Sequence, residues 1–407
     1  MPFVEFTVNS VRTVLRGNRA YWLWIVFLLA LVGIGGFGYA HQVRSGLIAT
    51  HMRDPVSWGF YIGNFTFLVG VAAAAVVLVI PAYVYHWKPI KEIVVFGELL
   101  AVAAIVMCGL FVLVDMGRPD RLWHLIPWIG HWNGPGSILA WDALVLNLYF
   151  LLNFVIVTHI LFRGFNGREY SKRFATPLIL LSIPAAVSIH TVTAFLYNGM
   201  AARPYWNSAI LAPRFLASAF CSGPAIMLIL LQVVRKIMPI EIKDEALWKI
   251  AELMAYAMFV NLFLFGAEIF REYYSRTEHL LFFRYAYSGL NGHRTLVPFT
   301  WLALFCSVTA FLLFLIPRTR KNWVALNVGA VLIFAGVYIE KGVALVIPGY
   351  TPSVLGEIFE YFPSRTEAMV SAGVFGVGFL LYTLMVKVAV AIMTGRLSSR
   401  RSEAAGV

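Results

Sequence analysis

The chain has 407 residues, of which 60% are hydrophobic and only 13% charged, and its mean hydropathy is +0.78. Soluble domains carry about 25% charged residues, so this composition excludes an ordinary globular protein and identifies a polytopic membrane protein. The formal net charge of +12 does not point to nucleic acid here, because the cations fall at the ends of apolar runs, where topology and anionic lipid explain them.

Windows of about 20 apolar residues, enough to cross a hydrocarbon core of about 30 Å, predict ten transmembrane helices. They cover approximately 21 to 40, 59 to 85, 92 to 114, 137 to 162, 175 to 197, 207 to 234, 248 to 270, 298 to 316, 323 to 346 and 366 to 394. The first span is long and no Ala-x-Ala-like site closes it, so it reads as a helix and not as a signal peptide. Aromatic residues gather where the runs end, as at Tyr21, Trp22 and Trp24, or Trp123, Trp128 and Trp132, in the manner of interfacial belts. With the N-terminus inside, nineteen of the 32 Lys and Arg fall in inner segments, which are also shorter. The positive-inside rule then puts both termini in the cytoplasm of a cytoplasmic (inner) membrane protein, and the long loops 41 to 57, 115 to 136, 271 to 297 and 347 to 365 outside.

The third run stops at Val114-Asp115-Met116-Gly117-Arg118-Pro119-Asp120-Arg121, four charges in eight residues. Ionisable groups at the membrane edge are costly and are therefore functional candidates. The plainer alternative is a helix stop, with Gly117 and Pro119 ending the helix and Asp115 paired with Arg118 or Arg121.

Cys108, Cys221 and Cys306 lie singly in separate spans, which gives no iron–sulfur cluster or metal site on this chain. Of nine histidines only His159 and His190 fall within spans, at opposite ends of the bilayer, so they do not form the axial pair a haem needs.

The remaining polar groups converge on the outer leaflet. Asp115 ends span three, Asp142 begins span four, His190 and Tyr197 lie late in span five, and Glu340 and Lys341 lie late in span nine. Tyr61 and Asn64 are three apart and share a helical face, as do His190 and Tyr197, seven apart and separated by about 10 Å. An apolar, aromatic pocket with a few such groups suits a quinone, whose ring oxygens need hydrogen-bond partners and whose oxidation as quinol releases two protons. Tyr61, Asn64, His190 and Tyr197 are the head-group candidates. Asp115, Asp142 and His190 are the catalytic candidates, and Arg118, Arg203 and Trp206 form the rim. Glu98, Glu252 and Glu268 are candidates for a proton path, with Glu98 about 25 Å from Asp115 along one helix.

Spans three and seven end in Asp115-x-x-Arg118 and Glu268-x-x-Arg271, a weak internal repeat. It divides the chain into a segment 1–20, a flanking helix and loop 21–58, a four-helix bundle 59–206, a second bundle 207–346, a loop and flanking helix 347–395, and a tail 396–407. Two other classes stay open on the residues alone, an ion or solute transporter and a passive anchor for an extracytoplasmic redox complex.

Trp58-Gly59-x-Tyr61, Asp115-Met116-Gly117-Arg118-Pro119, and His190-Thr191-Val192-Thr193-Ala194-Phe195 followed by Ala202-Arg203-Pro204-x-Trp206 resemble the NrfD/PsrC family over roughly residues 55 to 350. Its members are membrane subunits of polysulfide reductase and related respiratory complexes; ten spans resemble the longer members, such as DsrP and HmcC. The resemblance implies a subunit without haem or iron–sulfur cluster. It would exchange electrons between menaquinone near the outer leaflet and a ferredoxin-like iron–sulfur subunit, with a multihaem cytochrome c among further partners. Coupling to proton translocation and a place in sulfur-linked energy metabolism follow from the same likeness.

Overall fold

The computed structural model describes residues 2–134, 136–353 and 355–399, so Arg400 and Arg401 of the inner-segment count lie outside the described residues. The fold is helical, and two isolated bridges are the only β-type pairings among the described residues. Ten helices are long and apolar enough to span a membrane: α1 Arg19–Ser45, α2 Phe60–Val84, α3 Val94–Asp115, α4 Ile138–Phe165, α5 Lys172–Asn198, α6 Leu211–Ile237, α7 Asp244–Ser275, α8 Val297–Leu315, α9 Trp323–Tyr350 and α10 Arg365–Met393. The protein is thus a multi-pass, all-α integral membrane protein.

Several helices extend past the apolar runs that predict them. The clearest is α7, whose first turn holds Asp244 and Glu245 and whose last holds Glu272, Tyr273 and Tyr274. Helical hydrogen bonding continues where hydropathy stops, so charged turns prolong a span into water.

The first and last described residues, Pro2 and Ser399, lie at one end of the bundle, called here the terminal end; the opposite end is the distal end. Ser399 donates its amide to the Phe165 carbonyl at 2.8 Å. The helix Pro2–Val14, which the apolar windows do not detect, packs Phe6 against Phe162 and Phe165 with ring centroids 5.7 and 5.5 Å apart. Lys387 of α10 donates to the Val14 carbonyl at 3.3 Å and covers the Tyr21 ring.

Helices α2 to α5 pack each on the next, with α5 returning to α2; α6 to α9 do the same, with α9 returning to α6. The two groups meet through α2 and α6, while α1 pairs with α10, which lies on α3. Close approach depends on glycine at two crossings. A Cβ on Gly35 would fall on the Gly373 backbone of α10, and a Cβ on Gly63 would come within 3.2 Å of the Gly342 Cα of α9.

Two spans depart from regular α-helix. At Pro81, α2 shifts into a π-turn over Ile80–Val84, because proline supplies no amide to the ladder. The second is α9, which breaks at Gly342 (φ −80°, ψ −84°) into Trp323–Lys341 and Val343–Tyr350.

Candidate functional site

At the end of α3 the chain turns outward through Gly117 into a 3₁₀ turn over Pro119–Leu125. Arg118 pairs with Asp120 at 2.9 Å, both side chains more than half exposed, so the pair sits on the wet rim and contributes little. The alternative that Arg118 neutralises Asp115 is therefore not what the fold adopts. Asp115 turns inward instead, and its Oδ1 is enclosed without a hydrogen-bond partner.

Asp142 sits in the first turns of α4, a helix capped by Ser137, whose hydroxyl accepts from the Ala140 amide at 3.3 Å. It is only 2% exposed, and its Oδ1 accepts a hydrogen bond of 2.6 Å from Thr193 Oγ1 of α5. Thr193 follows His190 by three residues and precedes Tyr197 by four, so the three form one stripe facing inward. The His190 ring is fully buried and donates from Nδ1 to the Ala186 carbonyl at 2.7 Å. Tyr197 hydrogen-bonds with Thr66 of α2, whose hydroxyl also donates to the Ile62 carbonyl at 2.8 Å.

Asp142 lines a cavity of about 890 Å³ between α3 and α4, walled by Ile105, Leu113, Leu146 and Phe150 and roofed by Trp123 of the 3₁₀ turn and by Trp132. A carboxylate at the wall of an apolar cavity of this size is the usual form of a small-molecule site.

Arg203-Pro204-x-Trp206 closes the distal end behind Tyr197. Trp206 is fully buried, stacks on Trp58 at 5.8 Å and meets the Tyr197 ring edge at 5.0 Å. Its indole donates to the Leu345 carbonyl at 2.8 Å, and Tyr205 donates to the Ala344 carbonyl at 2.9 Å. Ala344 has an acceptor to offer because Pro348, four residues on, has no amide. The Arg203 guanidinium lies 4.5 Å above the Tyr350 ring. These contacts fasten the loop between α5 and α6 to the last turn of α9.

Tyr61 and Asn64 part company. Tyr61 donates to Gln42 of α1 at 2.7 Å, and Gln42 donates to the Val114 carbonyl at 2.6 Å, beside Asp115. Asn64 accepts from Tyr338 of α9 at 2.6 Å and donates to Ser371 of α10 at 3.3 Å. It lines a second cavity, of about 190 Å³, with Gly59, Gly63, Tyr338 and Tyr361. Three residues on a helix leave two side chains about 60° apart, and at a junction crowded by α1, α3, α9 and α10 that angle sends them to different neighbours.

The acids proposed for a proton path are held in three ways. Glu98 is 1% exposed on α3, with Oε2 lacking a partner. Glu252 is partly exposed at the terminal end, between Lys249 at 3.4 Å and Arg320 at 3.5 Å. Glu268 forms an ion pair with Arg214 of α6, which also binds Glu340 at 2.7 Å. Asn261 donates to Glu340 at 3.2 Å, and Lys341 donates to the Phe215 carbonyl at 2.9 Å. Glu268 thus does not pair with Arg271 as the Asp115-x-x-Arg118 analogy suggests; Arg271 turns to Glu272 at 3.7 Å.

Sequence reasoning assigned no role to Arg214, Gln42, Thr66 and Thr193. The signal for Arg214 was visible, a lone arginine just after Pro213 within an otherwise apolar span. The other three are small or neutral polar residues whose importance lies in partners far along the chain. Among the described residues no three His, Cys, Asp or Glu side chains gather in a metal-binding group.

Residues 49–353 match the family described as polysulphide reductase, NrfD. The chain is 26% identical to a protein of Halobacterium salinarum named as a putative membrane subunit of dimethyl sulfoxide reductase, over 92% of this chain and 91% of that one. It is 24% identical to a protein of Mesobacillus selenatarsenatis named as a subunit of selenate reductase, over 89% and 92%. A third relative, the Hdr-like menaquinol oxidoreductase integral membrane subunit of Archaeoglobus fulgidus, is 24% identical over 90% and 92%. With three quarters of its length matched, and with relatives of similar length named as subunits of reductases and of a menaquinol oxidoreductase, the chain belongs to the polysulphide reductase NrfD family.

Proposed function

We propose that this chain is the quinone-interacting membrane subunit of a reductase complex and that it binds the quinone head group in the groove between α3 and α4. The observation that carries the reading is the position of Asp142, a nearly inaccessible carboxylate anchored by Thr193 on the wall of an apolar cavity of about 890 Å³. Support from the family comes through the relatives, one of which is named a menaquinol oxidoreductase subunit; menaquinone is the ligand class we assign.

A bound hydroquinone supplies two electrons and two protons. Asp142 accepts a hydroxyl proton on the carboxylate oxygen that Thr193 does not occupy, while the Thr193 hydroxyl holds the carboxylate plane toward the groove. The Trp123 and Trp132 rings and the aliphatic walls give that oxygen an apolar surround. Asp115, inward-facing, lacking a partner on Oδ1 and two residues past Leu113 of the groove wall, takes the second hydroxyl proton. His190 and Tyr197 act behind Asp142, holding α5 against α2, and Tyr61 and Asn64 serve other junctions.

The distal end faces the outside of the cytoplasmic membrane in this reading, which the excess of Lys and Arg at the terminal end supports. The distal loops receive an iron–sulfur partner, which takes the electrons.

A photoreactive menaquinone analogue added to the intact complex tests the location. The expected labels fall within residues 105–113 and 139–150. Labels confined to the Asn64 cavity, on α2, α9 and the start of α10, would overturn it.

A further inference from the structure

At the terminal end, the seam between α6 and α9 carries polar groups arranged by depth. The Arg235 guanidinium lies 4.7 Å above the Trp323 ring, and Lys321 lies 5.5 Å above the Trp248 ring. The two indoles are 6.4 Å apart, so both cations and both rings share one edge of the bundle at the level where spans α7 and α9 begin. Tryptophan at that position marks the headgroup layer.

Of the acids nearby two are matched, and Glu241 and Glu245 are outnumbered by Lys236, Lys243, Arg318 and Lys321. Asp244 pairs with Arg235, and Glu252 pairs with Lys249 and Arg320. Lys236 and Lys321 have no acidic partner among the described residues and leave the edge positive.

One turn deeper, about 6 Å at 1.5 Å per residue, Gln232 and Asn327 exchange two hydrogen bonds of 2.9 and 3.2 Å across the same seam. Asn327 also donates to the Trp323 carbonyl at 2.9 Å, which ties this amide pair to the indole above it. Asn327 is exposed at a depth where exposed polar groups face the ester region of lipid, not open water. Below the amides the α9 surface is aliphatic: Val328 and Val331 are 46% and 54% exposed, Val331 one turn deeper than Asn327.

We infer that this seam is a binding site for an anionic phospholipid. Its phosphate lies between Lys236, Lys321 and Arg235 against the indole pair, its ester carbonyls face the Gln232–Asn327 amides, and one acyl chain runs along Val328 and Val331. Cations at headgroup level, amides one turn below and an aliphatic face beyond reproduce the order of groups in a phospholipid, and the excess positive charge selects an acidic headgroup over a zwitterionic one. The reading is independent of the quinone site.

The test is native mass spectrometry of the delipidated full chain in detergent, titrated with phosphatidylglycerol or phosphatidylethanolamine, with inorganic phosphate added in a separate arm. Wild type binds phosphatidylglycerol in preference to phosphatidylethanolamine. Removing each lysine costs about fivefold in phosphatidylglycerol affinity, so the Lys236→Gln/Lys321→Gln double variant loses about 25-fold and its preference disappears. The control Lys172→Gln/Arg173→Gln, at the start of α5, leaves the affinity unchanged. An unchanged affinity in K236Q/K321Q, an equal loss in the control, or displacement of the lipid by millimolar inorganic phosphate each overturns the assignment.

Discussion

Thr193 Oγ1 donates to Asp142 Oδ1 at 2.6 Å, joining the start of α4 to the stripe of α5 that also bears His190 and Tyr197. A buried carboxylate that loses a hydrogen-bond donor bears the desolvation cost of the unpaired oxygen, about 1–3 kcal/mol. Thr193→Val is therefore expected to lower quinol turnover by about 10- to 100-fold, while Thr193→Ser, which keeps the hydroxyl, restores most of it. Steady-state assays of the two variants in the intact complex make the comparison.

Arg214 is the common partner of Glu268 and Glu340 inside the second group of helices. Arg214→Met leaves two enclosed carboxylates facing one cation fewer, a change expected to destabilise by about 3–5 kcal/mol. The combined variant Arg214→Met/Glu268→Gln/Glu340→Gln removes the charges together and is expected to recover much of the loss. Thermal unfolding in detergent, followed by circular dichroism, distinguishes a compensated cluster from a site whose residues act separately.

Two glycines on α1 should respond in opposite ways to the same substitution. Gly35 lies against the Gly373 backbone, so Gly35→Ala forces α1 from α10 and is expected to cost about 1–3 kcal/mol. Gly33 has nothing within 4 Å of an added Cβ, so Gly33→Ala is expected to be neutral or to gain about 0.5–1 kcal/mol of helix propensity. Equal melting shifts for the pair would argue against the α1–α10 contact.

The distal loop before α10 is fastened by Glu360, which accepts from the Thr295 hydroxyl at 2.7 Å and lies 3.5 Å from His293. The Thr295 hydroxyl, more than the nearby His293, holds the Glu360 carboxyl below the usual glutamate range. A depressed carboxyl pKa contributes stability above its unfolded value and loses it as pH falls through the folded one, so acidification should loosen this loop. Hydrogen exchange over residues 355–363 is expected to quicken as pH drops through the carboxylate range, and Thr295→Val to move that onset to higher pH.

The number and placement of the spans were legible because a bilayer imposes one length and one polarity on every crossing. The helix ends were less so, since α7 continues through Asp244 and Glu272 on hydrogen bonding that hydropathy does not register. Asp142, His190 and Tyr197 could be singled out as costly polar groups in apolar runs, but helical spacing says only which residues share a face and not which neighbour that face meets. Tyr61 and Asn64 show the limit, as their shared face opens onto α1 for one and α9 with α10 for the other. Thr193 stood inside a quoted motif and Gln42 outside any, yet neither could be given a role, since their partners are 51 and 72 residues away.

Asp142→Asn in the intact complex bears on the proton-accepting role without disturbing the groove. The amide preserves shape but removes the proton acceptor. Normal assembly, retained binding of a quinone analogue, and quinol oxidation reduced by about 100-fold or more are expected, within the 10²–10⁴ typical of a lost general base. Wild-type turnover in an assembled complex carrying D142N would refute the role assigned to Asp142.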